Sequence, residues 1–228
     1  MKNYNKFSFL VLFIILSHLN GFAQYDASAT LSLGMGHGYT ALSQSVMSNA
    51  FNNSNIKIPA KSTNADYIYL GFSDYRGFED KILNSLLANN KNSDKGKIRS
   101  FLSSTRTMYH FMMRSRDLGL KDTYISDIIA TGIAWNWEMY HESKASKQKV
   151  INLRNAIRNN MEKDGIKTQI SKLSAEDKRN WILSFMYNNS MLAQTIKKSG
   201  KLSPIQKQQL LTTAQQAGVP NIASVSLK

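Results

Sequence analysis

The chain has 228 residues, a formal net charge of +14 and no cysteine. Its length suits one domain with additional segments, and the lack of cysteine excludes disulfides, thiolate metal sites and a lipid anchor on an N-terminal cysteine. The positive charge favours anionic partners, such as an acidic envelope component or an acidic protein, and the simpler alternative is a basic surface without a specific partner.

Residues 1–23 have the features of a secretory signal peptide. Two lysines precede the apolar stretch 7–19, and small residues then precede a cleavage site between Ala23 and Gln24. The stretch is shorter than the roughly 20 apolar residues that a membrane-spanning helix needs, and an uncleaved membrane anchor is the alternative. We therefore expect a soluble, exported protein, periplasmic or extracellular. Cleavage removes two lysines and no acidic residue, which leaves a mature chain of net charge +12 without a transmembrane segment.

Residues 24–75 are predicted to form a leader of low complexity. Ser, Asn, Ala, Thr and Gly dominate its composition up to about residue 64, which is typical of loosely ordered chain. A short helix is possible around residues 39–51, and residues 65–77 resemble a short extended segment.

Residues 76–218 are predicted to form an α-helical domain, because apolar residues recur there at steps of three and four. The predicted helices span residues 77–90, 96–119, 122 to about 141, 144–165, 174–196 and 203–218. The short connections favour a mostly α fold, a bundle of five or six antiparallel helices, with residues 219–228 as a tail.

Residues that cap and end helices give the predicted boundaries. Asp122, Ser174 and Ser203 are predicted N-caps, because each carries a side-chain oxygen just before a helical pattern. Gly165 and Gly218 are predicted to end helices.

In the helix predicted over 144–165, Val150, Leu153, Ile157 and Met161 form one apolar stripe. The opposite face carries Lys147, Arg154 and Arg158, which places these cations away from the core.

The strongest candidate metal pair is Glu138 and His141, a Glu-x-x-His spacing that brings both side chains to one face of a helix. Di-metal helical bundles use two such pairs with further glutamates, and this chain has one pair. Asp127 would lie roughly 16 Å away along the helix, at about 1.5 Å per residue. We therefore predict no metal or other cofactor, and a polar helix end that meets solvent from Glu138 onward.

Two tryptophans in the same helix point about 200° apart, so Trp135 and Trp137 cannot both face one core. The helix is apolar nearly all round, which is typical of a central helix packed on several sides. An exposed tryptophan that stacks on a sugar or a base is the functional alternative.

No catalytic group can be assigned from the sequence. Outside the signal the chain has only His37, His110 and His141, and His110 lies among apolar residues that favour a structural role. The basic residues are spread over many helices, which argues against nucleic acid. A non-enzymatic binding protein is the leading hypothesis. The alternative is an unrecognised hydrolase of envelope polymers, which would need a histidine within reach of a carboxylate.

Three segments, in the order 120–137, 173–187 and 200–220, carry a family resemblance. Together they resemble a family of secreted, uncharacterised helical domains from bacteria, mostly Gram-negative. Related sequences favour Asn before Asp127 and Ala after it, where this chain has Ser126 and Ile128. The resemblance implies an exported helical domain and assigns no activity, so it supplies no functional residue.

Overall fold

The computed structural model describes residues 37–51, 61, 63–89, 94–96, 99–100 and 106–228. Within these residues the chain forms eight α-helices and, apart from one isolated bridge, no β-structure. The helices are α1 (His37–Met47), α2 (Phe72–Asn89), α3 (Thr107–Asp117), α4 (Ile125–His141), α5 (Lys147–Met161), α6 (Asp164–Lys172), α7 (Ala175–Ser199) and α8 (Pro204–Gln216), followed by a 3-10 turn (Ile222–Ser224). The predicted mostly α class is confirmed.

The predicted signal peptide, residues 1–23, and its cleavage site lie outside the described residues. Among the helices that the structure describes, none combines the length and the apolar character needed to cross a bilayer.

Helix α4 lies at the centre of the fold, as its apolar sequence predicts. It packs against α3, α5, α7 and α8, and every residue from Ile125 to Ala134 is buried. Trp137 is buried and Trp135 is half-buried against Phe111, with ring centroids 6.1 Å apart. The two tryptophans therefore occupy different surroundings, as their angular separation requires.

Close packing between α4 and α7 depends on Gly132. A Cβ atom at this position would lie 2.3 Å from a ring carbon of Phe185, a side chain that is itself buried. The absence of a side chain at Gly132 lets the two helices approach at Phe185 and Asn189. Residues 181–192 of α7 are all buried.

The predicted starts of α7 and α8 are confirmed in atomic detail. The Ser174 hydroxyl accepts the backbone N–H of Asp177 at 3.0 Å. Ser203 and Gln206 form a reciprocal capping box, and Pro204 occupies the first helical position. Because these caps depend only on neighbours in sequence, the sequence alone was enough to place them.

The predicted end of the helix over 144–165 is wrong. Helix α5 ends at Met161, and Gly165 lies inside the separate helix α6. Lys163 takes an extended backbone conformation that breaks the helix, and Asp164 then provides an acidic residue at the start of α6. The buried Ile170 anchors the new helix to the core.

Both ends of the described chain pack onto the helical core. In α1, Leu42, Val46 and Met47 are buried, and the Asn160 side-chain amide donates to the Val46 carbonyl oxygen at 2.8 Å. Near the C-terminus, the Ser146 N–H donates to the Leu227 carbonyl oxygen at 2.7 Å.

Candidate functional site

Glu138 and His141 bind different parts of the protein. A Glu138 carboxylate oxygen accepts the Arg114 guanidinium at 2.6 Å and the backbone N–H of Ala145 at 2.8 Å. The His141 ring forms a hydrogen bond with the Ile222 carbonyl oxygen at 3.2 Å and stacks on Trp137, with centroids 4.6 Å apart. Each side chain therefore has a structural partner in a different part of the fold.

The prediction that the helix meets solvent from Glu138 onward is wrong for Glu138. The Glu138 residue is buried, with only 7% of its surface exposed. Its carboxylate ties α3 and the turn after α4 to the central helix, and Glu142 is the residue of this segment that is exposed. A buried carboxylate is tolerated here because a guanidinium and a backbone N–H compensate its charge.

The histidines do not form a catalytic arrangement within the described part of the chain. His110 is half-buried on α3 and lies edge-on to Tyr109, at 5.7 Å between centroids. Neither its ring nor that of His141 forms a hydrogen bond with a carboxylate there. The side chain of His37 lies outside the described residues. Over the same residues, no group of three or more potential metal ligands is close enough to hold an ion.

A buried ionic network starts at Asp66, a residue with no exposed surface. Its carboxylate accepts the backbone N–H of Ser126 at 2.7 Å and the Ser126 hydroxyl at 2.8 Å, and its carbonyl oxygen accepts the N–H of Ile125 at 2.8 Å. Asp66 therefore caps α4 from a distant part of the chain. The predicted cap at Asp122 is wrong, because α4 begins three residues later, where these donors meet Asp66.

The same network binds the arginines of α5. The Arg158 guanidinium donates to Asp66 at 2.7 Å and to Asp127 at 2.9 Å, and Arg154 donates to Asp127 at 3.1 Å. Arg158 also lies over the Tyr124 ring, 5.3 Å from its centroid. The predicted outward orientation of Arg158 is therefore wrong: it is buried, since two carboxylates compensate its charge.

Sequence reasoning missed this network because its members are far apart in the chain. Asp66 is 60 residues from Ser126 and 92 from Arg158. The local signal was one acidic residue next to apolar positions in the predicted extended segment, and such a pattern does not identify a partner.

Most carboxylates are committed to ion pairs, whereas many lysines are not. Within the described residues, ion pairs involve Asp66, Asp74, Glu79, Asp80, Asp117, Asp127, Glu138, Glu162 and Glu176. Around the start of α5, Lys144, Lys147, Lys149 and Lys228 form no ion pair with any residue in the described ranges. The positive charge left over by the ion pairs is therefore displayed mainly on lysine side chains, together with the exposed Arg106 and Arg116.

An open cleft of about 500 Å³ lies beside the start of α5. Phe51, Leu153, Val225 and Leu227 form its apolar walls, and Lys149, Asn152, Ser224 and Ser226 supply polar groups. We call this the α5 cleft. Apolar and polar residues line it in nearly equal numbers, and its volume falls in the range of ligand sites.

A second cleft, of about 690 Å³, lies between the end of α4 and the α7–α8 connection. Lys197, Lys201 and Glu142 are among its lining residues. Here the lysines lie at the C-terminal end of α7, where the helix dipole stabilises positive charge. At the start of α5 the dipole opposes Lys147 and Lys149, so the two clefts differ in how their cations are balanced.

The described chain is thus an all-α domain with a buried ionic network and a lysine-flanked cleft. No protein-family model, no curated protein and no solved structure matches it. The resemblance to secreted, uncharacterised bacterial domains remains a prediction.

Proposed function

We propose that this is an exported, non-enzymatic helical protein that binds an anionic component of the cell envelope, or an acidic protein, through the α5 cleft. The observation that carries the proposal is that Lys149 lines this cleft and that Lys147 and Lys228, close to lining residues along the chain, likewise form no ion pair with a described residue. An anionic ligand would supply the counter-charge that the described residues do not.

The start of α5 departs from the usual pattern of helix electrostatics. Its first turn contains Lys147 and Lys149 and no acidic residue, and the Ser146 side chain does not cap it. Lysine at a helix N-terminus is unfavourable by about 0.3–1 kcal/mol, because the dipole is positive there. Local departures of this kind are expected at functional sites, where binding compensates them.

A charge reversal tests the proposal. We expect the mature chain, immobilised, to retain an anionic envelope fraction at low salt and to release it at about 1 M salt, where the screening length falls to about 3 Å. Lys147→Glu with Lys149→Glu should abolish retention. This double variant should remain folded, because acidic residues stabilise a helix N-terminus.

Lys197→Glu with Lys201→Glu is the matched control, because it changes the net charge of the chain equally at the second cleft. If both double variants lose retention to the same extent, bulk charge and not the α5 cleft drives binding. If the unmodified chain retains nothing at low salt, the proposed function is wrong.

Export is part of the proposal, and it depends on the pattern in residues 1–23. Expression of the full chain in a Gram-negative host, followed by fractionation and mass spectrometry, should recover a mature protein that begins at Gln24. Recovery of the uncleaved chain in the membrane fraction would instead support the anchor alternative.

Two finer interpretations are also proposed. The short connections between successive helices from α3 to α8 favour antiparallel neighbours around α4. An unrecognised hydrolase is the alternative to a binding protein, and we do not favour it because the His110 and His141 rings lack a carboxylate partner in the described ranges.

A further inference from the structure

Three aromatic side chains project from the surface within six consecutive residues. Tyr67 is 53% exposed, Tyr69 70% and Phe72 75%. Together they provide half of the large exposed apolar side chains found in the described ranges, and Phe72 has the most exposed of them. We call these three residues the aromatic surface. A local concentration of this kind indicates an interaction site, since single scattered apolar residues are the normal pattern.

The backbone beneath the aromatic surface is held in place by buried groups. Residues alternate along the segment, so Asp66 and Ile68 are buried while Tyr67 and Tyr69 are exposed. Asp66 belongs to the ionic network, and the Ile68 N–H donates to the Thr123 carbonyl oxygen at 3.0 Å. The rings are therefore presented by a backbone that is already ordered, which lowers the entropy cost of binding a ligand.

The start of α2 fixes the position of Phe72. The Gly71 N–H donates to the Asp74 carboxylate at 2.8 Å, and Asp74 forms an ion pair with Arg179 at 3.1 Å. The Arg76 guanidinium lies over the Phe72 ring, 5.5 Å from its centroid. One face of this ring is covered by a cation and the ring remains largely exposed, as a stacking position requires.

The aromatic surface is small compared with a standard protein interface. An aromatic side chain has about 150–250 Å² of surface, so the three exposed fractions correspond to about 400 Å². A stable protein interface buries about 800 Å² on each partner. The available surface fits a short oligomeric ligand better than a folded protein.

The charges around the aromatic surface are mostly paired with one another. Asp74 is paired with Arg179, and Arg76 lies 4.0 Å from Glu79. Tyr75, directly beside them, is half-buried, and burial together with Asp122 raises its pKa to about 12, so that its hydroxyl keeps its proton. The surroundings thus combine ring faces with hydrogen-bonding groups and little net charge, which suits an uncharged ligand rich in hydroxyls.

We propose that the aromatic surface binds a neutral glycan chain, with the rings stacking on the C–H faces of successive sugars and the exposed Tyr67 and Tyr69 hydroxyls forming hydrogen bonds with sugar hydroxyls. Stacking places apolar C–H groups on aromatic faces, and the polar groups at the rim orient the chain. This site is separate from the α5 cleft and does not depend on the function proposed for that cleft.

Binding of defined oligosaccharides to the mature protein tests the proposal. The probes are chitotetraose, cellotetraose and maltotetraose, with saturation-transfer NMR to detect contact and calorimetry to measure affinity. We expect at least one probe to bind. Tyr69→Ala and Phe72→Ala should each weaken its affinity about tenfold, the scale of one aromatic stacking contact. Both residues are exposed, so the variants should keep the thermal stability of the unmodified chain.

Tyr109→Ala is the matched control, because Tyr109 on α3 is as exposed as Tyr67 and lies outside the aromatic surface. The proposal is overturned if none of the three probes binds at millimolar concentration, or if the Tyr69 and Phe72 variants bind as the control does. Binding of oligothymidine in place of glycans would also overturn it, in favour of base stacking. The Lys147→Glu, Lys149→Glu variant should keep glycan binding, which separates this proposal from the α5 cleft.

Discussion

Removing the Asp66 carboxylate should strongly destabilise the fold. In Asp66→Ala, the Arg158 guanidinium loses its 2.7 Å ion pair, and the buried N–H of Ser126 loses its acceptor. Arg158 keeps the Asp127 carboxylate at 2.9 Å, which is shared with Arg154, and the Ser126 hydroxyl at 3.1 Å. The substitution therefore takes from a buried cation one of the two carboxylates that compensate its charge.

The expected loss is about 3–5 kcal/mol, which is typical when one partner of a buried ion pair is removed. The orphaned N–H adds to this, since an unsatisfied buried donor costs about 1–3 kcal/mol. A single domain has a total stability of about 5–15 kcal/mol, so this is a large fraction. Asp80→Ala is the control. Asp80 and Arg99 are about half exposed at 3.2 Å, and such a pair contributes about 0–1 kcal/mol.

Urea denaturation of the mature chain, followed by circular dichroism, measures both free energies of unfolding. A second substitution sharpens the test: Arg158→Met in the Asp66→Ala background should recover part of the loss, because it removes the uncompensated cation. Equal costs for Asp66→Ala and Asp80→Ala would refute the reasoning. The reasoning would also be refuted if the double variant were less stable than Asp66→Ala by as much as the loss of another buried ion-pair partner costs.

Three further substitutions test the packing and the electrostatics. Trp137→Ala should lower the free energy of unfolding in urea by about 3–5 kcal/mol, and Trp135→Ala by clearly less. Of these two side chains, Trp137 is almost fully buried and Trp135 is half-buried. Gly132→Ala should cost about 1–3 kcal/mol through overpacking against α7, whereas Gly165→Ala, with open space around it, should be neutral or stabilising by up to about 1 kcal/mol. In the folded state the pKa of Tyr75 is raised from 10.0 to about 12, so the free energy of unfolding should fall as the pH rises between these values. Tyr75→Phe should remove this fall, together with one late step in an ultraviolet titration of the tyrosines.

Features that depend on neighbouring residues were predictable from the sequence. The capping box at Ser203, the cap at Ser174 and the central position of α4 each follow from residue types a few positions apart. The helical class follows in the same way, because the period of the apolar residues is a local property.

Features that depend on distant residues were not predictable. The cap at Asp122 failed because a residue in another segment, Asp66, accepts the first N–H groups of α4. Arg158 was assigned to the outer face because a charged residue opposite an apolar stripe is normally exposed, yet at about 100° per residue it lies at the flank of that stripe. The fold brings the carboxylates of Asp66 and Asp127 to Arg158, and no spacing in the sequence predicts these contacts.

Arginine and lysine side chains occupy different places in this fold, and this explains why the net charge alone did not locate a binding site. Among the described cations Arg158 is buried, and Arg114 and Arg154 are partly buried. The planar guanidinium can donate to two carboxylates at once, which suits it to buried pairs, whereas the lysine ammonium is strongly hydrated and stays at the surface. Ion pairs with arginines thus neutralise much of the acidic charge inside the fold, and the positive charge that a partner can contact is carried mainly by lysines. The position of this excess positive charge depends on which carboxylates already form ion pairs, and those ion pairs can be read from the fold but not from the composition.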